Sequence, residues 1–376
     1  MYNAASAHRQ WLTYCRISAL CAIVVVIAWY APTAVFAEAA QEGVVAAFDD
    51  IIQMLDHTDK QFNYLGTKFV VDYTPTRRST TLVKVAHDTA AGVQKQEVAS
   101  LQDGESQIII DDGKFLWHYI PSQASVVKKK RRLSLGELSK RIRHQEELIQ
   151  ANYFITITAE ASEQVSVATT QPPSVQGDVM VTFHPKSHDR PSWKVWIENE
   201  HGLVVRTEIY DVAGNLALLS AFSELAFRPK LPKQAFTMTV PKGTTVTTSL
   251  EETFQSAVEA QPSVSFTILE PAYLPTGFVL SSVIVSNVKD REKVQLTYID
   301  GMSSISVFEE QRRAAAPEAS KATKEVAINN TVKGTFYDHG LLKILNWQQN
   351  TDVSITMVGE VADTELLKMA SSITTQ

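Results

Sequence analysis

Cysteine is absent from all but the first 21 residues of this chain. Cys15 and Cys21 lie in a segment that carries two arginines, an apolar run and the small-residue ending "APTAVFA". This order predicts a secretory signal peptide over residues 1–37. An uncleaved membrane anchor is the alternative, because residues 17–37 are long enough to span a bilayer. The remaining chain therefore excludes a disulfide, a thiolate nucleophile and a cysteine-based metal site.

The sequence also lacks the short motifs of common enzymes. It contains no Gly-x-Ser-x-Gly elbow, no His-Glu-x-x-His, no Gly-rich phosphate loop and no dinucleotide fingerprint. His184 and His188 are four residues apart, but neighbouring prolines favour a solvated turn over a zinc or copper site. We therefore predict a protein that is not an enzyme, with no catalytic residue, no metal and no cofactor.

Basic residues are densely clustered at one place in a chain that is acidic on balance. Removal of residues 1–37 changes the net charge from −6 to −8, because they include Arg9 and Arg16 and no acid. Net acidity argues against nucleic acid as a partner. The cluster reads "KKKRR", and it predicts either a solvated loop or a basic face for anionic head groups or an acidic partner. Its candidate partner-binding residues are Lys128, Lys129, Lys130, Arg131 and Arg132.

The rest of the chain is dominated by short strand-like runs. Apolar spacing predicts amphipathic helices near residues 44–55 and 134–148, and a closing helix after Asp363. Between them, alternating runs end at turn residues at fairly even intervals. Residues 229–262 are rich in proline, threonine and serine, which predicts a linker between domains at 38–228 and 263–376. Antiparallel strands with a few helices place the fold in the α+β class.

One hairpin raises the question of a binding cavity. Asp112-Gly113 separates "SQIIID" from "KFLWHYI", and Asp-Gly favours a tight turn with positive φ. Both faces of the return strand are mostly apolar, and similar residues recur on other strands. They predict either a packed core or an open apolar pocket that suits acyl chains. The candidate ligand-binding residues are Phe69, Val71, Phe115, Trp117, Tyr119, Trp193, Val195 and Ile197.

Two stretches of the first half resemble known envelope proteins. "IDDGKFLWHYIPSQASV" and "WIENEHGLVVRTEIYDVAGNLALLSAFSEL" are similar to lipoprotein-carrier domains of the LolA/LolB type. The same pattern occurs in the N-terminal domain of MucB/RseB proteins, which are periplasmic regulators of extracytoplasmic-function sigma factors. Carrier proteins end after one domain, so the second half distinguishes between the two families.

The second half resembles the C-terminal domain of MucB/RseB proteins. "LEPAYLPTGFVL", "LTYIDGMSSISVFEE" and "ITMVGEVADTELLKMASSI" carry the likeness. The matching positions are Leu274, Pro275, Gly277, Phe278, Tyr298, Asp300, Gly301, Ser306, Val307, Phe308, Val358, Gly359, Glu360, Val361 and Thr364.

The resemblance implies a curved antiparallel sheet, a half-barrel wrapped over helices, followed by a smaller α+β domain. It implies a periplasmic, non-enzymatic regulator that binds the extracytoplasmic segment of a membrane-bound anti-sigma factor. Such a regulator would respond to a lipid or a lipidated molecule. The alternative is a periplasmic lipid or lipoprotein carrier without a sigma-factor role. Whether the protein forms a homodimer stays open.

Overall fold

The computed structural model describes residues 62–75, 77–131, 145–159, 178–287, 292–311, 324–350 and 353–373. The predicted signal peptide, the predicted helix at 44–55 and Arg132 lie outside these ranges. Within them the chain forms three α-helices: α1 (residues 145–152), α2 (Ala257–Ala260) and α3 (Asp363–Ser371). Short 3₁₀ turns occupy Pro121–Gln123, Lys233–Phe236 and Gln261–Ser263. None of the helices in the described ranges is long and apolar enough to cross a membrane.

Nineteen strands make up most of the described chain. They are β1 (Tyr64–Tyr73), β2 (Arg78–Asp88), β3 (Val93–Ser100), β4 (Ser106–Asp111), β5 (Phe115–Ile120), β6 (Ser125–Lys130), β7 (Tyr153–Ala159), β8 (Val179–Pro185), β9 (Ser192–Ile197), β10 (Val204–Tyr210), β11 (Leu216–Phe227), β12 (Thr245–Phe254), β13 (Val279–Asn287), β14 (Glu292–Ile299), β15 (Ser304–Gln311), β16 (Lys324–Ala327), β17 (Lys333–His339), β18 (Leu342–Gln348) and β19 (Val353–Gly359).

The first domain is a curved sheet that does not close into a barrel. Its strand order is β7-β8-β9-β10-β11-β1-β2-β3-β4-β5-β6, and all neighbours are antiparallel. The chain therefore places β11, the last strand of this order along the sequence, beside its first strand, β1. This arrangement brings residues from both ends of the domain into one core.

The opening hairpin forms with the predicted strands, but its turn differs in detail. Gly113 has φ +87°, whereas Asp112 stays at negative φ. The Asp112 carboxylate instead accepts the backbone N–H groups of Lys114 and Phe115, at 2.8 and 2.7 Å. The Asp-Gly pair predicts positive φ at both residues. Here the hydrogen bonds of the Asp112 carboxylate stabilise the turn, and only Gly113 has a positive φ.

The predicted linker at 229–262 contains structure that joins the two domains. Strand β12 runs parallel to β6 through Thr245–Ser249, and then antiparallel to β13 through Leu250–Phe254. Helix α2 follows it. The Pro- and Thr-rich composition of this segment suggests a flexible connection, but the alternating Thr-Val-Thr-Thr pattern also suits a strand. The two sheets therefore share one strand.

The second domain is a sheet with the order β12-β13-β14-β15-β19-β18-β17-β16, again antiparallel. Helix α3 packs against it through Leu366, Met369 and Ala370, which are all fully buried. Asp363 and Glu365 lie in the first turn of α3, where the helix dipole favours negative charge. The domain has its own core, centred on Val283, Leu296, Ile305 and Leu345.

The core of the first domain lies on the inner face of its sheet. Trp193, Phe183 and Ile209 are among its largest buried side chains, and Tyr153 and Ile149 pack with them from β7 and α1. Met302 and Leu341 of the second domain belong to the same cluster. The apolar core of the first domain therefore extends across the boundary between the domains.

Candidate functional site

A buried ion pair lies where the two domains meet. Arg190 follows β8, and its guanidinium donates from Nη1 to Oδ2 of Asp300, in the β14–β15 turn, at 2.8 Å. Its Nη2 donates to the carbonyl of Thr276 at 2.6 Å, and its Nε donates to Asp189 at 2.8 Å. The Arg190 side chain is 1% exposed and that of Asp300 is 0% exposed. Burial strengthens the attraction between the two charges but also removes them from water, so the main consequence is that loss of either partner would leave an uncompensated buried charge.

Asp300 is surrounded by donors from both domains. Its Oδ2 also accepts the hydroxyl of Tyr153 at 2.7 Å, and its Oδ1 accepts the backbone N–H groups of Met302 and Ser303. Burial raises the pKa of Asp300, and the nearby Arg190 and these hydrogen bonds oppose that effect. Burial also raises the pKa of Tyr153. The carboxylate is thus the centre of a fully hydrogen-bonded network, which is the condition for a buried charge to be tolerated.

Two glycines allow the domains to approach closely. A Cβ at Gly301, where φ is +105°, would lie 2.2 Å from Cγ1 of Ile149 in α1. A Cβ at Gly277, where φ is +84°, would lie 1.9 Å from the side-chain oxygen of Asn152. Asn152 donates from Nδ2 to the carbonyls of Gly277 and Asp300, at 3.1 and 3.0 Å. Any side chain at either glycine would separate α1 from the second domain.

The junction explains several residues on which the family resemblance rests. Gly277, Phe278, Asp300 and Gly301 all lie at or beside the contact with the first domain, and the Arg190 guanidinium is 5.1 Å from the Phe278 ring centroid. The first-domain partners, Asn152, Tyr153 and Arg190, were not recognised from the sequence. No local pattern marks them, because Arg190 and Asp300 are 110 residues apart along the chain.

The eight candidate ligand-binding residues lie on two opposite faces of the curved sheet. Trp193, Val195 and Ile197 face the inner core and are at most 2% exposed. The alternation of β1 places Phe69 and Val71 on the other side from the core residue Val70. The ladder continues that outer face to the aromatic residues of β5, as the register between β1 and β5 shows. The eight residues therefore do not line one surface.

The outer-face aromatics of β5 form a small ordered group. The Lys128 ammonium lies 3.8 Å from the Phe115 ring centroid and 4.5 Å from that of Trp117. The Trp117 indole donates to Oδ2 of Asp112 at 2.7 Å. Phe115, Trp117 and Tyr119 are all partly exposed. Part of the predicted ligand site and part of the predicted partner site thus share one surface.

The basic cluster is divided by the pleat of strand β6. Lys128 and Lys130 lie on the outer face, while Lys129 lies on the inner face and pairs with Glu251 at 2.8 Å. Arg131 pairs with Asp111 at 2.8 Å, and both side chains are largely buried. Adjacent residues of a strand point to opposite sides, so consecutive charges do not make one patch. The "KKKRR" run therefore places two lysines of β6, Lys128 and Lys130, on the outer face of the sheet.

The inner face of β2, β3, β4 and β5 carries a group of polar side chains among buried apolar ones such as Val83 and Ile109. Gln96 donates to Gln94, which donates to the hydroxyl of Tyr64, and His87 stacks on the Tyr64 ring at 5.1 Å. Neither ring nitrogen of His87 has a hydrogen-bond partner within the described chain. Burial lowers the pKa of His87 to about 4, so the imidazole is neutral at pH 7. We call this group, with Gln107 and His118, the inner polar band.

Two groups have the residue types of a metal site. Glu198, Glu200 and His201 close the β9–β10 turn with their ligand atoms within 4.8 Å of one another. The Glu198 carboxylate there accepts the backbone N–H groups of Glu200 and His201, at 2.9 and 2.8 Å. These hydrogen bonds stabilise the turn, and the turn explains why the three side chains lie close together. His184 and His188 are both exposed and belong to no such group in the described part of the chain.

The comparisons with known proteins agree with a two-domain protein built mainly from sheets. The family model of the MucB/RseB N-terminal domain matches residues 48–240, and a domain of unknown function matches residues 268–373. No curated protein matches the chain. The crystal structure of MucB in complex with MucA(peri) is 16% identical, with a TM-score of 0.51, and covers 87% of this chain and 99% of that one. The MucA/MucB complex of Pseudomonas aeruginosa has the same identity and coverage, with a TM-score of 0.52.

These features define a class of protein with a curved, open sheet that shares a strand and a buried junction with a second sheet domain. The N-terminal family match covers just over half of the chain. The chain therefore belongs to the MucB/RseB family. At 16% identity, the MucB structures show the shared fold.

Proposed function

We propose that the protein binds the extracytoplasmic segment of a membrane-bound anti-sigma factor, and that it is a regulator rather than an enzyme. The observation that carries the proposal is the likeness to MucB over both domains, since MucB was crystallised with MucA(peri). A carrier of the single-domain type would not need the second sheet. In this proposal the protein acts in the periplasm, after export by the predicted signal peptide.

The buried junction supports this role because it holds the domains in a fixed relation. An anti-sigma segment that contacts both domains would bind a surface whose residues are already held in place. No conformational entropy is then lost in ordering that surface, and such preorganisation increases affinity. Arg190 and Asp300 do not themselves contact the partner in this proposal, since they are almost fully buried. They are positioning residues for the surface around them.

A protection assay tests the proposal. The segment of the one-span anti-sigma factor encoded nearest to this gene is incubated with a protease, with and without the purified protein. We expect a 1:1 complex and slower cleavage of the segment. A segment of the same length and composition in scrambled order is the matched control. Equal cleavage rates with and without the protein would contradict the proposed role.

The response to a lipid or lipidated ligand is a finer part of the proposal. The inner polar band supports it with neutral hydrogen-bonding groups, namely the amides of Gln94 and Gln96 and the imidazoles of His87 and His118. An amphiphile whose ester, amide or sugar hydroxyls meet these groups would satisfy the unpartnered nitrogens of His87. A ligand shifts the partner equilibrium only by its difference in affinity for the bound and free states.

Ligand binding is tested by mass spectrometry of protein extracted under native conditions and by thermal shift with fatty acids and lipid A analogues. We expect a bound amphiphile and a rise in melting temperature that the His87→Phe variant reduces. Lys333→Met, which changes an exposed residue of the β16–β17 hairpin in the second domain, is the control. Neither a bound amphiphile nor a thermal shift would contradict the ligand part, whereas partner protection would then still stand.

A further inference from the structure

Strands β5, β6 and β12 present a surface on the outer face of the first-domain sheet, on the side opposite the apolar core of that domain. Register and alternation place its side chains on one side of the three strands. We name this surface the basic face. Its residues are Phe115, Trp117, Tyr119, Lys128, Lys130, Val246 and Leu250.

Apolar side chains protrude from the basic face into solvent. Leu250 is 72% exposed and Val246 is 45% exposed, although both lie on an ordered strand. Val258, in the helix that follows, is 80% exposed. A single exposed aliphatic residue needs no explanation, but several beside partly exposed aromatic rings indicate an interaction surface. No cleft is needed for them to reach a partner.

The charge of the basic face contrasts with the acidity of the whole chain. Lys128, Lys130 and Lys242 form no ion pair with a carboxylate of the described residues, although Lys128 lies close enough to Asp112 to interact with it electrostatically. The segment that crosses from β11 to β12, residues 228–244, carries four exposed cations and no acid. These cations are Arg228, Lys230, Lys233 and Lys242.

We propose that the basic face docks on an anionic phospholipid bilayer. The cations are mostly lysines, which act as point charges for a diffuse negative surface, whereas bidentate recognition of a carboxylate favours arginine. Protruding aliphatic and aromatic side chains beside lysines are typical of residues that enter the interface of a membrane. Docking would orient the protein beside a membrane-embedded partner, and it does not depend on the proposed partner.

Vesicle co-sedimentation tests the proposal with the protein as purified from the envelope. Vesicles of phosphatidylcholine alone are compared with vesicles that also contain about one third phosphatidylglycerol. We expect tighter binding to the anionic vesicles, weakening as salt shortens the Debye length from about 10 Å at 0.1 M to about 3 Å at 1 M. Any binding through residues 17–37 is common to both vesicle types, so the difference between them isolates the charge effect.

Charge-removing variants assign the binding to this surface. We expect the triple variant Lys128→Ser, Lys130→Ser, Lys242→Ser to lower the partition coefficient on anionic vesicles by about 100-fold, since each surface lysine contributes about a factor of 5. The double variant Lys324→Ser, Lys333→Ser is the control, because it removes exposed lysines from the β16–β17 hairpin of the second domain. It should leave the difference between the vesicles almost unchanged.

A second variant tests the apolar part of the surface. Leu250→Ser alters a largely exposed side chain, so it leaves the fold intact and should weaken the binding that remains at high salt. Equal binding of the wild-type protein to neutral and anionic vesicles would overturn the proposal. So would a triple variant that keeps its vesicle binding but loses a soluble acidic probe such as poly-glutamate, because the face would then be a site for an acidic chain.

Discussion

Replacing Arg190 with methionine removes the guanidinium that joins the two domains. Asp300 then keeps Tyr153 and two backbone N–H donors, but it remains 0% exposed and loses its counter-charge. The carboxylate must either stay ionised without a cation or take up a proton. Protonation at pH 7 costs about 4 kcal/mol for a carboxyl group with an ordinary pKa near 3.8. Breaking a buried pair in other proteins costs about 3–5 kcal/mol, which agrees with this limit.

We therefore expect Arg190→Met to lower the free energy of unfolding by about 4 kcal/mol at pH 7, measured by urea titration followed by circular dichroism. The loss should depend on pH in a definite direction. Without the cation, the folded-state pKa of Asp300 lies above its unfolded value, so stability falls as the pH rises. At pH 5 the same calculation gives a loss of about 1.6 kcal/mol.

The control is an ion pair of similar length on the surface. Lys333 and Glu325 are 2.6 Å apart, but their side chains are 71% and 69% exposed, so Lys333→Met should change the free energy of unfolding far less than Arg190→Met does. The double variant Arg190→Met, Asp300→Asn should recover part of the loss, because no uncompensated charge remains. A loss below about 1 kcal/mol for Arg190→Met, or one independent of pH, would refute the reasoning.

Two further predictions concern the junction and the buried acids. Gly301→Ala should lower the free energy of unfolding by about 2 kcal/mol or more in the urea titration, because φ is positive and the new Cβ would meet Ile149. Gly104→Ala, where φ is also positive but the new Cβ has open space, should cost less in the same assay. Burial raises the pKa of Glu309 and of Glu360 to about 8, above the unfolded value of 4.5. Each residue therefore makes the free energy of unfolding fall as the pH rises from 5 to 8, by at most about 1.4 kcal/mol per pH unit. Urea midpoints at pH 5 and 8 should show a smaller difference when both are changed to glutamine, and an unchanged difference would contradict this assignment.

Local sequence patterns predicted the hairpins and the fold class well. Asp112-Gly113 marks a turn because an aspartate and a glycine satisfy its backbone at once, and that information lies within four residues. The α+β class and the family resemblance likewise depend on short sequence runs, which can be interpreted without knowing the tertiary contacts. The Pro and Thr content of residues 229–262 predicts a linker, but it cannot show that β12 pairs with both β6 and β13.

The faces of the sheet could not be derived from the same patterns. Trp193 and Trp117 occupy similar apolar runs, and only the register through the intervening strands shows that they point to opposite sides. The division of the basic cluster could not be derived from these patterns for the same reason, because alternation places Lys129 and Lys128 on opposite faces. The junction depends on contacts between residues more than a hundred positions apart, such as Arg190 and Asp300, which no local period contains.

Isothermal titration of the anti-sigma segment into the purified protein tests the central claim most directly. The account predicts a 1:1 complex whose affinity falls in the Arg190→Met variant at a temperature where that variant is still folded, while Lys333→Met binds like the wild type. No heat of binding with the wild-type protein, at concentrations where the protein is folded and monodisperse, would contradict it.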